Sequence, residues 1–176
     1  MIAEIVRYAA VLPLDRLNGL VDSVSSADRV FVHAVGRCGM VVGMFATRLA
    51  HLEIPCFVVG ERTTPAAGHG DLLVSASGSG DTSSTVLIAE RARAAGTRVL
   101  GLTAHPEARI ARHVDEMIVL PVPAKTDHPD AKRSVQPPGS LFEQLLLCFL
   151  DEAVLRLARQ RDANFEMIQR RHANLE

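Results

Sequence analysis

Leu72-Leu73-Val74-Ser75-Ala76-Ser77-Gly78-Ser79-Gly80-Asp81-Thr82-Ser83-Ser84-Thr85-Val86-Leu87-Ile88-Ala89 reads as a strand, a tight Gly/Ser turn and a helix. A short apolar run leads in, and an apolar run at helical spacing leads out. Such a turn gathers backbone N–H groups and hydroxyls at a helix N-terminus, where the macrodipole favours an anion. Gly78 and Gly80 let the backbone come close to a ligand. A phosphate group suits that place. No Lys follows the glycines, so this is no Walker A loop, and the glycine spacing of a dinucleotide fingerprint is incomplete. A second reading needs no ligand: Ser77 or Ser79 caps the helix and the glycines make the turn.

Upstream, the pattern repeats. Val30 to Val35 is a β-branched run that predicts the first strand, with His33 inside it as a core histidine. Gly36-Arg37-Cys38-Gly39 ends that strand, and Met40 to Leu52 predicts a helix with a broad apolar face. His51, in its last turn, suits the helix C-terminus. Residues 54–59 predict the second strand, and Pro55 near its start points to a sheet edge. After a polar loop over 61–70, the third strand spans 71–75. The helix 82–95 stops at Gly96. Strand four (97–103), a short helix (106–113) and strand five (115–120) follow. Residues 2–24 carry helical spacing interrupted by Pro13, which gives two short helices or one broken one.

Strands alternating with helices predict an α/β, three-layer domain with a parallel sheet. Five strands allow the flavodoxin-like order 2-1-3-4-5. Strands 1 and 3 are then neighbours whose connections leave to opposite faces. Ligands bind in the crevice at the carboxyl ends of such strands. Both Gly turns meet there, which favours the phosphate cradle over two idle caps.

Residues 121–139 form a predicted loop of nineteen residues with five prolines, carrying Lys125, His128, Lys132 and Arg133. Loops of that length are often functional; this one reads as a solvated excursion or, more sharply, as a cover over a site or a subunit contact. Ser140 opens a long helix to about Arg161, with an apolar face through Leu141, Leu145, Cys148, Phe149, Val154 and Leu157. Ser140 and Glu143 have the spacing of a capping box. Glu143 therefore has two readings, a helix cap or a carboxylate carried to the rim of the crevice, where it would move a proton beside a carbonyl. The last residues, 167–176, are helical or an arm.

The chain has 176 residues, is 48% hydrophobic and has a formal net charge of -1. That suits one domain over 1–176 with a substantial core: helices 1–24, α/β core 28–120, loop 121–139, helix and arm 140–176. The charge balance points away from nucleic acid, and no apolar run is long enough to span a membrane. The N-terminus lacks the pattern of a signal peptide. Three cysteines without metal spacing fit free thiols in a reducing cytoplasm and no metal site. No Trp and one Tyr argue against an aromatic sugar-stacking platform.

Four stretches together resemble the sugar isomerase (SIS) domain family: residues 36–39, residues 77–82, Gln136-Pro137-Pro138-Gly139-Ser140-Leu141-Phe142-Glu143-Gln144, and Arg171-His172-Ala173-Asn174-Leu175-Glu176. The last two are similar to its 6-phospho-3-hexuloisomerases in particular. The resemblance covers nearly the whole chain. It implies isomerisation of D-arabino-3-hexulose 6-phosphate to D-fructose 6-phosphate in the ribulose monophosphate pathway of formaldehyde fixation. It implies no cofactor. Ser77, Ser79 and Thr82, with the backbone of Gly78, Gly80 and Asp81, would hold the phosphate. Arg37 and Cys38 would touch the sugar. Glu143 would be the base, working through a cis-enediol(ate). His172 of a neighbouring copy in a homotetramer, a dimer of dimers, would shuttle protons, with His51 as the second candidate. Members usually carry Ser where this chain has Cys38, and a thiol is the weaker donor. Two alternatives stand beside this: a non-catalytic sugar-phosphate sensor, and an isomerase of another sugar phosphate.

Overall fold

The computed structural model describes residues 1–123 and 133–175. Lys125, His128 and Lys132 of the predicted loop lie outside the described residues. The elements run in the order α1 (Ile2–Ala9), α2 (Leu17–Ser25), β1 (Val30–His33), α3 (Gly36–His51), β2 (Cys56–Val58), β3 (Leu72–Ala76), α4 (Ser83–Ala94) and β4 (Arg98–Thr103). A 3-10 turn at Arg109–His113, β5 (Glu116–Val119), α5 (Ser140–Gln160) and α6 (Phe165–Arg170) follow.

All strands are parallel, in the order β2-β1-β3-β4-β5. Pro55 stands just before β2, which is an edge strand. Side chains alternate along each strand. Val30, Val32, Leu72, Val74, Leu100 and Leu102 face a large core built with α2, α3 and α5. Phe31, Leu73 and Val99 face a smaller core with α4, Ala108 and Ile110. Three layers result, with α3 and α4 on opposite faces of the sheet. At the other end of the strands, Arg29 grips Asp71 with two bonds of 2.9 and 2.7 Å, tying β1 to β3.

Two boundaries differ from expectation. The Gly36-Arg37-Cys38-Gly39 turn is the first turn of α3 rather than a loop before it. Gly36 takes φ +60°, the left-handed conformation that turns the chain from β1 into the helix, so Arg37 and Cys38 ride on helical backbone. The segment 106–113 forms only a 3-10 turn, Arg109–His113. No helix among the described residues is long and apolar enough to cross a membrane.

Candidate active site

The crevice at the carboxyl ends of β1 and β3 is a cavity of about 330 Å³. Its walls come from three element starts: Val35 to Cys38 at α3, Ala76 to Ser79 and Thr82 before α4, and Pro138, Gly139, Phe142 and Glu143 at α5.

The hydroxyls of the Ser/Gly turn cap no helix end. α4 has Thr82 as its N-cap without a side-chain cap bond. Instead the Ser77 hydroxyl lies 3.1 Å from that of Thr82 and 3.5 Å from that of Ser79, and accepts the Gly80 N–H at 3.1 Å. Ser79 Oγ accepts the Asp81 N–H at 3.2 Å. Three hydroxyls therefore converge on the cavity at the head of a helix, an arrangement that suits an anion. Gly78 has no side chain because Phe142 is packed on it: a Cβ there would stand 3.3 Å from the ring. Gly80 and Asp81 do not line the cavity. Gly80 turns toward Ala108, and the Asp81 carboxylate accepts the Arg109 N–H at 2.7 Å, on the side of the 3-10 turn. Their N–H groups are donated within the turn, Gly80 to Ser77 and Asp81 to Ser79 Oγ.

Glu143 does not form a capping box with Ser140. The N-cap of α5 is Gly139, at φ +91°, and no side chain caps that end. The Glu143 carboxylate, 13% exposed, instead accepts a 2.5 Å bond from Arg37 Nε across the cavity, through Oε2. That bond raises the Arg37 guanidinium above its usual value, with the carboxylate's charge adding to it. Oε1 lies on the Gly139 side. Beside the pair, burial pushes the Cys38 thiol up to about 11, and the charge of Glu143 adds to the shift. Cys38 is thus a neutral donor at the foot of α3.

His172 and His51 lie elsewhere. Their rings stack with centroids 4.1 Å apart. His51 closes α3, thirteen residues beyond Cys38, which places it roughly 20 Å from the cavity along the helix. Arg171 fastens the chain end there, donating to the His51 carbonyl at 2.9 Å and pairing with Glu53 at 2.8 Å. His172 Nδ1 is 3.1 Å from the Ile168 carbonyl, which can only accept, so Nδ1 carries the proton. Within one chain neither His172 nor His51 reaches Glu143. His33 faces the α4 layer with Nε2 buried, and burial lowers its pKa. Among the described residues no group of three His, Cys, Asp or Glu is placed to hold a metal.

Sequence reasoning did not single out Val35, Pro138 or Phe142 as lining residues. Phe142 sits beside Glu143 in a quoted motif, but its packing on Gly78 is a tertiary contact that no local pattern encodes.

A family model for the SIS domain matches residues 23–148. Two curated relatives share the chain's length. The 3-hexulose-6-phosphate isomerase of Mycobacterium gastri is 39% identical over 173 residues, covering 98% of this chain and 86% of the relative. The enzyme of the same name from Bacillus subtilis (strain 168) is 35% identical over 173 residues, covering 98% and 94%. Among solved structures, a Methanococcus jannaschii protein superposes with a TM-score of 0.87 at 27% identity, covering 99% of this chain and 98% of that one. Its crystal structure inferred for it a molecular function of 3-hexulose-6-phosphate isomerase. The chain belongs to the SIS domain family and is an isomerase of that family, similar over nearly its whole length to 3-hexulose-6-phosphate isomerases.

Proposed function

We propose that the protein converts D-arabino-3-hexulose 6-phosphate to D-fructose 6-phosphate, as in the ribulose monophosphate route of formaldehyde fixation. The observation that carries this reading is the placement of a largely buried carboxylate, Glu143, and a three-hydroxyl anion cradle in one cavity of about 330 Å³. The similarity to named 3-hexulose-6-phosphate isomerases supports the choice of substrate.

The chemistry follows from the two ends of the cavity. Ser77, Ser79 and Thr82 hold the phosphate, the inert end, and so set which carbons reach Glu143. Glu143 Oε1 takes the C2 proton beside the C3 ketone, while Oε2 stays on Arg37. The electron pair moves into a C2–C3 double bond and the C3 oxygen takes the charge of a cis-enediolate. Arg37 stabilises that charge, and the neutral Cys38 thiol donates to it. The proton returns from Glu143 to C3, the C2 hydroxyl loses its proton, and the carbonyl settles at C2. His172 of a neighbouring copy carries the proton between the two oxygens.

The test is a coupled assay of fructose 6-phosphate formation from the 3-hexulose. We expect Glu143→Gln to lower kcat by roughly a thousandfold with the melting temperature kept, since removing a positioned base costs two to four orders of magnitude. An active Glu143→Gln protein would remove Glu143 from the chemistry. Tight fructose 6-phosphate binding with no turnover by the unaltered protein would instead make it a sensor. Ser79→Ala should raise KM more than it lowers kcat, because the phosphate contact is made equally in ground and transition states.

A further inference from the structure

α1 is built the wrong way round for a helix that only covers a core. Its one buried residue is a carboxylate, Glu4, 8% exposed, while Ile2 and Val6 stand 68% and 64% exposed. Burying a charge is costly unless its lone pairs are met. Here both oxygens are met, and by one short segment. Oε2 accepts from the Ser134 hydroxyl at 3.0 Å and from the Gln136 side-chain amide at 3.2 Å, and Oε1 accepts the Val135 N–H at 3.2 Å. The Ser134 hydroxyl in turn accepts the Gln136 N–H at 3.0 Å.

That segment leads straight to the cavity. Pro137 and Pro138 follow Gln136, and their rings leave little backbone freedom. Pro138 and Gly139 line the cavity. The Ser140 N–H bonds the Pro137 carbonyl at 3.0 Å, and the Glu143 N–H bonds the Gly139 carbonyl at 3.1 Å. α1 itself rests, through Ile5, Tyr8 and Ala9, on the core that α5 shares. A closed ring of contacts therefore runs from α5 to α1, through Glu4 to Ser134–Gln136, and across two prolines back to the start of α5.

We infer that Glu4 is a positioning residue: by holding Ser134–Gln136 against α1 it sets the Pro138–Gly139 rim and the first turn of the helix that carries Glu143. This rests on the site described above. Its role is to keep the rim in place for the substrate, and a plain fastening of the N-terminal helix would leave catalysis untouched.

The experiment compares Glu4→Ala with the paired change Ser134→Ala/Gln136→Ala, which removes the two side-chain contacts from the loop side and leaves only the Val135 N–H bond. Amide exchange at Val135, Ser140 and Glu143 is read first, without substrate. We expect faster exchange at all three in both proteins. Steady-state kinetics with the 3-hexulose 6-phosphate then show KM up roughly tenfold and kcat within about twofold, as a rim displaced by part of an ångström gives. The three changes combined should do no more than Glu4→Ala alone. Normal exchange at Ser140 and Glu143, or an unchanged KM once Val135 has lost its protection, would overturn the inference. Failure of the unaltered protein to turn the hexulose over would sink the proposed reaction instead, and the substrate-free exchange would still decide the role of Glu4.

Discussion

At Cys38 a partly buried thiol meets a strong field. The thiol lies between the Arg37–Glu143 pair and the Ser/Gly turn, and burial with the nearby carboxylate pushes it up to about 11. Thiolate is the reactive form, so at pH 7.5 Cys38 should be alkylated by iodoacetamide at least about a hundredfold more slowly than a free thiol of ordinary pKa. Exposed Cys148 is the internal comparison. Mass spectrometry of a time course checks it, and equal labelling of both would mean that Cys38 is not the protonated donor described above. Oxidation sensitivity, which a free thiol beside a site invites, is blunted by the same burial. Glu143 shows where residue-level reading stops. Its spacing from Ser140 is that of a capping box, yet its carboxylate spans to Arg37, 106 positions earlier. Which reading holds depends on how α5 lies beside α3, and the local sequence does not encode that.

The Ser/Gly turn and the helix after it were legible almost residue by residue, because strand, turn and helix each leave a distinct pattern. So were the five strands and their order, since β-branched runs separated by helical spacing admit few right-handed arrangements. The start of α3 lies four residues before the expected Met40, because two glycines in Gly36-Arg37-Cys38-Gly39 look like a loop when only one of them, Gly36, is left-handed. Gly80 carries the sharpest demand in the turn. It has φ +65°, and a Cβ there would stand 2.3 Å from Ala108 Cβ and 2.8 Å from Thr103 Oγ1. Gly80→Ala should therefore cost roughly 2–5 kcal/mol, from the left-handed backbone and the overpacking together. A fall in the urea midpoint at constant slope checks this. Activity lost with an unchanged midpoint would place Gly80 in ligand contact rather than in the frame of the turn.

At the scale of the whole molecule, three groups set the same pH trend. His33 is lowered by burial, and His51 by burial, by His172 and by Arg48. Both start from 6.5, so below that pH the unfolded chain binds more protons than the folded one and stability falls. Glu4, despite burial acting the other way, is held below 4.5 by its bonds to Gln136, Ser134 and Val135, and its contribution is lost as pH falls through the folded value. The urea midpoint should be flat from pH 7 to 8 and decline below about 6.5. His33→Leu should flatten the first part of that decline, and an unaltered slope would clear His33. The same long axis that separates His51 from the cavity decides what His172 can do. Roughly 20 Å along α3 keeps it from the Glu143 of its own chain, so any catalytic part must be played in a second copy. This makes a mixing experiment decisive. In a symmetric assembly each site would draw Glu143 from one chain and His172 from another. Glu143→Gln and His172→Gln proteins would each be crippled alone. Unfolded together and refolded at equal amounts, they would yield about one quarter of wild-type sites, because half of the pairs are mixed and one of the two sites in each mixed pair is whole. Recovery near that fraction, rising as the two are exchanged and absent when each is refolded alone, would place His172 across the interface. Full activity of His172→Gln by itself would confine the histidine to its stack on His51.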